Sequence, residues 1–196
     1  MRTAITLCPK LPIIETVVTT LNPDGSVNCG AMGVEWGSER IVIKPFNGTR
    51  TLRNLRARRA AVVNVTDDIL LFSQAALGDP RPATRRAASI DGAILDAACS
   101  WRELRVQAID DHEPRARVTA LVVERGVGRE FLGLSRAAHA VLEASILASR
   151  ARRLPPDDIR AELRGLQVLV DKTGGPRERE GMDYVIKALA RACECE

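Results

Sequence analysis

The chain has 196 residues, 45% of them hydrophobic, 28% charged and 3% aromatic, which suits one ordinary core at a size that buries roughly 70% of the unfolded surface and argues against disorder or fibrous structure. A net charge of +4, from 29 basic and 25 acidic residues, is too balanced to point to a polyanionic partner. No apolar run approaches the roughly 18 residues of a membrane span, and the N-terminus MRTAITLCPK lacks the apolar stretch of a signal peptide. Cys8, Cys29, Cys99, Cys193 and Cys195 are odd in number and irregularly spaced, as expected of free thiols in a reducing compartment. A cytoplasmic protein is expected. Only Lys10, Lys44, Lys172 and Lys187 are lysines; the arginine excess reads mainly as composition bias.

In chain order, Ile13 to Thr20 is rich in β-branched residues and predicts a strand, followed by the turn sequence Asn22-Pro23-Asp24-Gly25. Ser26 to Trp36 is the return strand, with Gly30 and Gly33 marking close backbone approaches, and Arg40 to Lys44 a third strand stopped by Pro45. Thr49 to Arg59, with Leu52 and Leu55 three apart, predicts a short helix with Thr49 near its N-cap. Ala60 to Val65 is a strand buried on both faces except at Asn64; Asp67 to Leu77 is a second short helix; Gly78 to Ser89 is an exposed loop. Trp101 to Asp110 and Arg115 to Glu124 are strands joined by a turn at Asp111 to Pro114. The period then becomes helical. Ser135 to Arg153 carries Ala138, Val141, Leu142, Ser145, Ile146 and Ser149 on one face, Asp157 to about Lys172 is a further helix closed by Gly174-Gly175, and Pro176 opens the last, to about Ala192.

Strands first and helices last argue an α+β fold, a small closed barrel carrying a C-terminal helical subdomain. Most motifs that would carry chemistry are absent. There is no phosphate-binding G-x-x-x-x-G-K-[ST] and no H-E-x-x-H. Lys172-Thr173-Gly174 stands without an S-x-x-K, Asp110-Asp111-His112-Glu113 falls in a tight turn, and His139 has no partner ligand nearby, so no metal site is expected. The segment from Lys44 to Asn64 differs. Thr49, Arg50 and Thr51 bring hydroxyls, a guanidinium and free backbone N–H groups to a helix start, a ready phosphate site, and Asn54 shares the face of Thr51. Against this stands the plainer reading: Thr49 and Thr51 only cap the helix, and Arg53, Arg56, Arg58 and Arg59 form a solvated face.

Thr51-Leu52-Arg53-Asn54-Leu55 followed by Ala61-Val62-Val63-Asn64-Val65 resembles the T-x-x-N-[IL]…V-V-N pattern of the FMN-binding split-barrel, or flavin-reductase-like, proteins. Val27 to Val34 resembles their N-x-A-P-x-G/S strand, although Cys29-Gly30 replaces the usual small residue and proline. Glu15 to Thr20, Lys44-Pro45-Phe46-x-Gly48-Thr49-x-Thr51, Asn64 to Asp68 and His139 to Ala144 are similar to an uncharacterised branch of that superfamily with a C-terminal helical extension. The resemblance implies a split β-barrel over residues 1–130 and helices over 131–196. It implies FMN with its phosphate on Thr49, Thr51 and Asn54, positive charge from Arg50 or Lys44, the ring lined by Met32 and Gly33, and Asn64 facing the ribityl chain or ring edge. It further implies a homodimer with the flavin at the interface and oxidoreductase chemistry, hydride or electron transfer, on a small substrate. No catalytic residue is assigned, and no nucleic acid or membrane partner is expected. The alternatives are a non-catalytic flavin carrier and a nucleic-acid-binding module using Arg53 to Arg59 and Arg81 to Arg86.

Overall fold

The structure, a computed structural model, describes residues 10–194, with side chains to Ala192. Cys8, Cys195 and the side chain of Cys193 lie outside it. The strands are β1 (Ile13–Leu21), β2 (Val27–Trp36), β3 (Arg40–Ile43), β4 (Ala60–Val65), β5 (Thr84–Arg86), β6 (Ala93–Leu95), β7 (Ser100–Asp110) and β8 (Arg117–Val127). The helices are α1 (Arg50–Arg58), α2 (Ile69–Leu77), α3 (Arg136–Ser149), α4 (Pro156–Thr173) and α5 (Pro176–Glu194).

Six strands close an antiparallel barrel in the order β1-β2-β3-β8-β7-β4, with β4 pairing back onto β1. The β1–β2 turn forms because Gly25 supplies a positive φ of 83° and the Asp24 carboxylate accepts the Ser26 N–H. Alternation along each strand then gives the barrel two apolar faces. The inner one gathers Val18, Val34, Ile41, Ile43, Val63, Leu104 and Val118, and Leu52 and Leu55 of α1 plug it. The outer one joins Val17 and Cys29 to α2, α3, α4 and α5. Each such side chain contributes about 1.5–3 kcal/mol when fully buried. The C-terminal helices therefore pack on α2 and on the outside of β1 and β2. The chain has an α+β barrel with C-terminal helices, the class the strand and helix order implies, and it is a split barrel as the family resemblance implies.

Three local expectations are corrected. The stretch from Gly78 to Ser89 is not all loop, since β5 pairs with β6 as a hairpin lying over β1, β4 and β7. Thr19 Oγ1 donates to the Ala93 carbonyl at 2.5 Å, and the Glu103 carboxylate, 0% exposed, accepts the N–H groups of Ala88 and Ser89 at 2.9 and 2.6 Å. These partners are distant in sequence, and the hairpin has no apolar alternation of its own to betray it. For the same reason Asn64 is as buried as its neighbours: β6 covers it. Helix α3 ends at Ser149, a 3-10 turn follows at Ala151–Arg153, and its buried face is Ala137, Ala140, Val141, Ala144, Ser145 and Leu147. Small alanines let α3 approach α2, α4 and α5, so contact with three helices outweighs the larger residues of the predicted stripe. Among the described residues no helix is long and apolar enough to cross a membrane.

Candidate functional site

The site starts at α1. Gly48, with a φ of 80°, turns the chain out of β3, and Thr49 becomes the N-cap, its Oγ1 accepting the Leu52 N–H at 3.3 Å and donating to the Phe46 carbonyl at 2.8 Å. A helix start leaves its first N–H groups without intrahelical acceptors, here those of Arg50 and Thr51, and concentrates positive potential there. Thr51 and Asn54 face inward and are buried. Asn28 Nδ2 donates to Thr20 Oγ1 and Thr51 Oγ1, both at 3.1 Å, while Asn54 Nδ2 donates to Thr20 Oγ1 at 3.0 Å and Asn22 Oδ1 at 2.9 Å. The spacing of Thr51 and Asn54 thus brings them together as expected. Thr20, Asn22 and Asn28 join them unforeseen, because beside a turn such residues read as turn chemistry.

Gly30 explains the departure from the N-x-A-P pattern. A Cβ there would lie 3.0 Å from both Thr51 Oγ1 and Met32 Cε, so a bare backbone lets α1 sit against β2. Beside the network opens a cleft of 390 Å³ whose walls include Asn22, Asp24, Arg50, Asp79 and Arg81. Arg50 pairs there with Asp79 at 2.7 Å, which raises the guanidinium pKa. Both groups are about half exposed, so the pair is solvent-screened and another anion can replace it. Hydrogen bonds from the Ser26 hydroxyl and N–H hold the Asp24 carboxyl below the usual carboxylate range.

The other predicted residues go elsewhere. Lys44 pairs with Glu35, which also takes a two-pronged contact from Arg117 at 2.8 and 3.0 Å. Hydrogen bonds from Arg117 and then Lys44 lower the Glu35 carboxyl to about 2. Met32 faces the barrel interior and Gly33 the outside, so one flat ring cannot rest on both. The open side of Gly33 is covered: a Cβ there would meet Ile13 Cγ2 at 2.6 Å and Glu15 Oε1 at 2.7 Å. Burial, then the nearby Glu143 charge, raises the Glu15 carboxyl pKa, while Arg150 and Arg115 lower it. Asn64, 0% exposed, donates to the Val17 carbonyl at 3.0 Å and Thr19 Oγ1 at 3.2 Å and accepts the Leu95 N–H at 3.0 Å. It ties β4 to β1 and β6, and the structure does not bring it to the Thr51–Asn54 network.

The α1 arginines mostly serve the chain itself: Arg56 pairs with Asp111, Arg58 with Asp91, Arg53 donates to the Gly48 carbonyl and Arg59 to that of Gln107. His139 is exposed. Burial pushes the Cys29 thiol up to about 11, which keeps it protonated and unreactive.

Comparison with solved structures places this architecture among flavin-binding barrels. An FMN-bound protein of the DUF447 family from Methanosarcina mazei is similar over 91% of this chain and 96% of its own, with a TM-score of 0.81 at 21% identity. An FMN-binding protein from Thermus thermophilus is similar over 67% and 84%, with a TM-score of 0.52 at 15% identity. The styrene monooxygenase flavin reductase of Pseudomonas putida S12 is similar over 60% and 81%, with a TM-score of 0.51 at 17% identity. At these identities the likeness is one of fold. Residues 14–129 match the N-terminal domain, and residues 135–187 the second domain, of the protein of unknown function DUF447, and the chain belongs to that family.

Proposed function

We propose that the protein binds FMN and performs flavin-mediated hydride or electron transfer on a small substrate, as a homodimer. The observation that carries this reading is the buried Thr20–Asn28–Thr51–Asn54 network beneath the start of α1, opening through Asn22 and Arg50 into the 390 Å³ cleft. Its donor set fits a phosphomonoester: the Arg50 and Arg81 guanidiniums on the cleft wall and the free N–H groups of the first helical turn, which Thr49 caps. The M. mazei relative, FMN-bound and alike over nearly its whole length, supports the choice of phosphomonoester.

When bound, FMN would supply the redox chemistry at its ring. The chain's part is to fix and surround it. Thr51 and Asn54, locked by Asn28 and Thr20, make the floor of the phosphate end rigid, and Arg50 exchanges Asp79 for the phosphate. A ring beside Gly33 requires the Glu15 carboxyl end to swing aside and Ile13, which is 58% exposed, to change its χ1 rotamer. Glu15, whose carboxyl holds its proton more tightly than an ordinary carboxylate, is then the acid nearest the ring. The dimer rests on Phe131, Leu132 and Leu134, which are 50%, 83% and 85% exposed in the connection between barrel and helices. A second copy covering them would remove apolar surface that one chain leaves in water.

The test is direct. Purified protein, or protein reconstituted with FMN, should be yellow, and NADH or NADPH under anaerobic conditions should bleach it. A colourless protein that cannot be reconstituted would overturn the reading; a yellow one that no donor reduces would leave binding and remove the reductase activity.

A further inference from the structure

The helices pack on the barrel wall at Val17 and Cys29 and leave Ile13, at the other end of β1, 58% exposed. Strand register carries this end of the wall sideways: Glu15 stands opposite Gly33, Glu35 reaches Lys44 and Arg117, and Arg115 bridges to Phe46. The helical extension meets it there. The Arg115 guanidinium lies 4.1 Å from the Phe46 ring centre, and that of Arg153, from the 3-10 turn after α3, lies 5.7 Å from the same ring. The Glu15 carboxyl feels Arg115, Arg150 at the end of α3, and Glu143. Barrel and extension therefore build one charged cluster between them.

The cluster is unbalanced. Lys44 and Arg117 serve Glu35, but the guanidiniums of Arg115, Arg150 and Arg153 are exposed and form no ion pair or side-chain hydrogen bond among the described residues. Each carries five N–H donors. An aromatic ring attracts the face of a guanidinium and leaves its N–H edge unspent. Like charges gathered at one place repel, and an anion among them offsets that cost. Three guanidiniums against the carboxylates of Glu15 and Glu143 leave one positive charge over, which suits a monoanion, and the guanidinium fork matches the two oxygens of a carboxylate.

We propose that this cluster receives the substrate: a small organic carboxylate whose charged group lies on Arg115, Arg150 and Arg153 and whose apolar part lies along Ile13 toward Gly33. The proposal rests on the FMN reading, which puts the ring beside Gly33. It gives the C-terminal helices a part in substrate choice, since Arg150 and Arg153 both follow directly from α3.

The experiment loads the full chain with FMN and titrates it at neutral pH with benzoate by calorimetry, with benzamide as the uncharged counterpart and phenyl phosphate as a more highly charged anion. Saturable benzoate binding is expected, about tenfold or more tighter than that of benzamide. Arg115→Ala and Arg153→Ala should each weaken it about fivefold, the order of one solvent-screened charge contact. Arg115→Lys should fall between wild type and Arg115→Ala, and Arg152→Ala, a neighbour outside the cluster, should match wild type; circular dichroism checks the fold of each. A titration that fails to saturate, equal binding of benzoate and benzamide, or wild-type affinity in both alanine variants overturns the proposal. Benzoate that displaces FMN overturns it too, because the cluster then belongs to the cofactor's phosphate. Phenyl phosphate that binds more tightly than benzoate overturns the carboxylate assignment. If FMN binds and benzoate does not, the substrate site falls and the cofactor reading stands. If FMN does not bind, the cofactor reading itself has failed, and the substrate role with it.

Discussion

Arg50 and Asp79 show how one exposed pair can report on a site. Arg50→Ala removes a guanidinium that the fold does not need, so FMN affinity should fall about tenfold, equivalent to ~1.4 kcal/mol, with an unchanged melting temperature. Asp79→Asn should tighten FMN by removing the competing carboxylate; both are read by fluorescence titration, and equal affinities in all three proteins would refute the phosphate assignment. The double change Thr51→Ala with Asn54→Ala should also weaken FMN. It should lower stability too, because the buried Asn28 amide and Thr20 hydroxyl lose partners at about 1–3 kcal/mol each. Glu35 makes a separate, pH-dependent prediction. Its folded carboxyl sits at about 2 against an ordinary 4.5, so the stability it contributes is complete above pH 4.5 and is lost as pH falls toward 2. Glu35→Gln should flatten that part of the denaturation profile, and a parallel acid profile for the variant would show that Lys44 and Arg117 do not bind the carboxylate as the structure has them. That Thr51 and Asn54 share one buried face was legible because three residues along a helix return to the same side. The burial of Asn64 was not, since only the β6 strand laid over it decides that its amide is spent on the chain.

At the scale of elements, the β5–β6 hairpin shows what a linear reading misses. Its tip is held by the buried Glu103 carboxylate through the Ala88 and Ser89 N–H groups, and charge-assisted bonds of this kind contribute about 1.5–3 kcal/mol each. Glu103→Ala should therefore cost roughly 3 kcal/mol or more and speed hydrogen exchange at Ala88 and Ser89; slow exchange at both amides in the variant would refute the anchoring role. Strand β7 invites a second test. A Cβ at Gly126 would stand 2.1 Å from Trp101 Cζ2, and an indole ring on a barrel strand cannot swing aside as a flexible tip does. Gly126→Ala should destabilise clearly, whereas Gly33→Ala, which meets only the ends of Ile13 and Glu15, should be tolerated; thermal denaturation of the two variants side by side distinguishes them.

At the scale of the molecule, the barrel's outer face and the helices α2 to α5 share one apolar cluster, and α1 plugs the inner one, so barrel and helices should unfold as one cooperative unit. The same view leaves Phe131, Leu132 and Leu134 in solvent although the segment is fixed: Asp67 pairs with Arg129 and accepts the Leu132 N–H at 3.0 Å. Sedimentation should find a dimer for wild type, and Leu132→Asp with Leu134→Asp should give a folded monomer. A wild-type monomer at micromolar concentration would remove the dimer from the proposed function.

The sequence by itself determined the order and type of the main elements, because β-branched alternation, glycine turns and helical spacing are local and act on any chain that carries them. It also determined which hydroxyl, amide and guanidinium groups gather at the start of α1, and the outline of the family. Tertiary structure alone decided which polar groups remain available. Closing the barrel committed Asn64 and Lys44 to partners on other strands and covered Gly33 with Ile13 and Glu15. Packing of the helices brought the turn after α3 beside Phe46, because hydrogen-bond satisfaction and burial depend on neighbours that chain order does not contain.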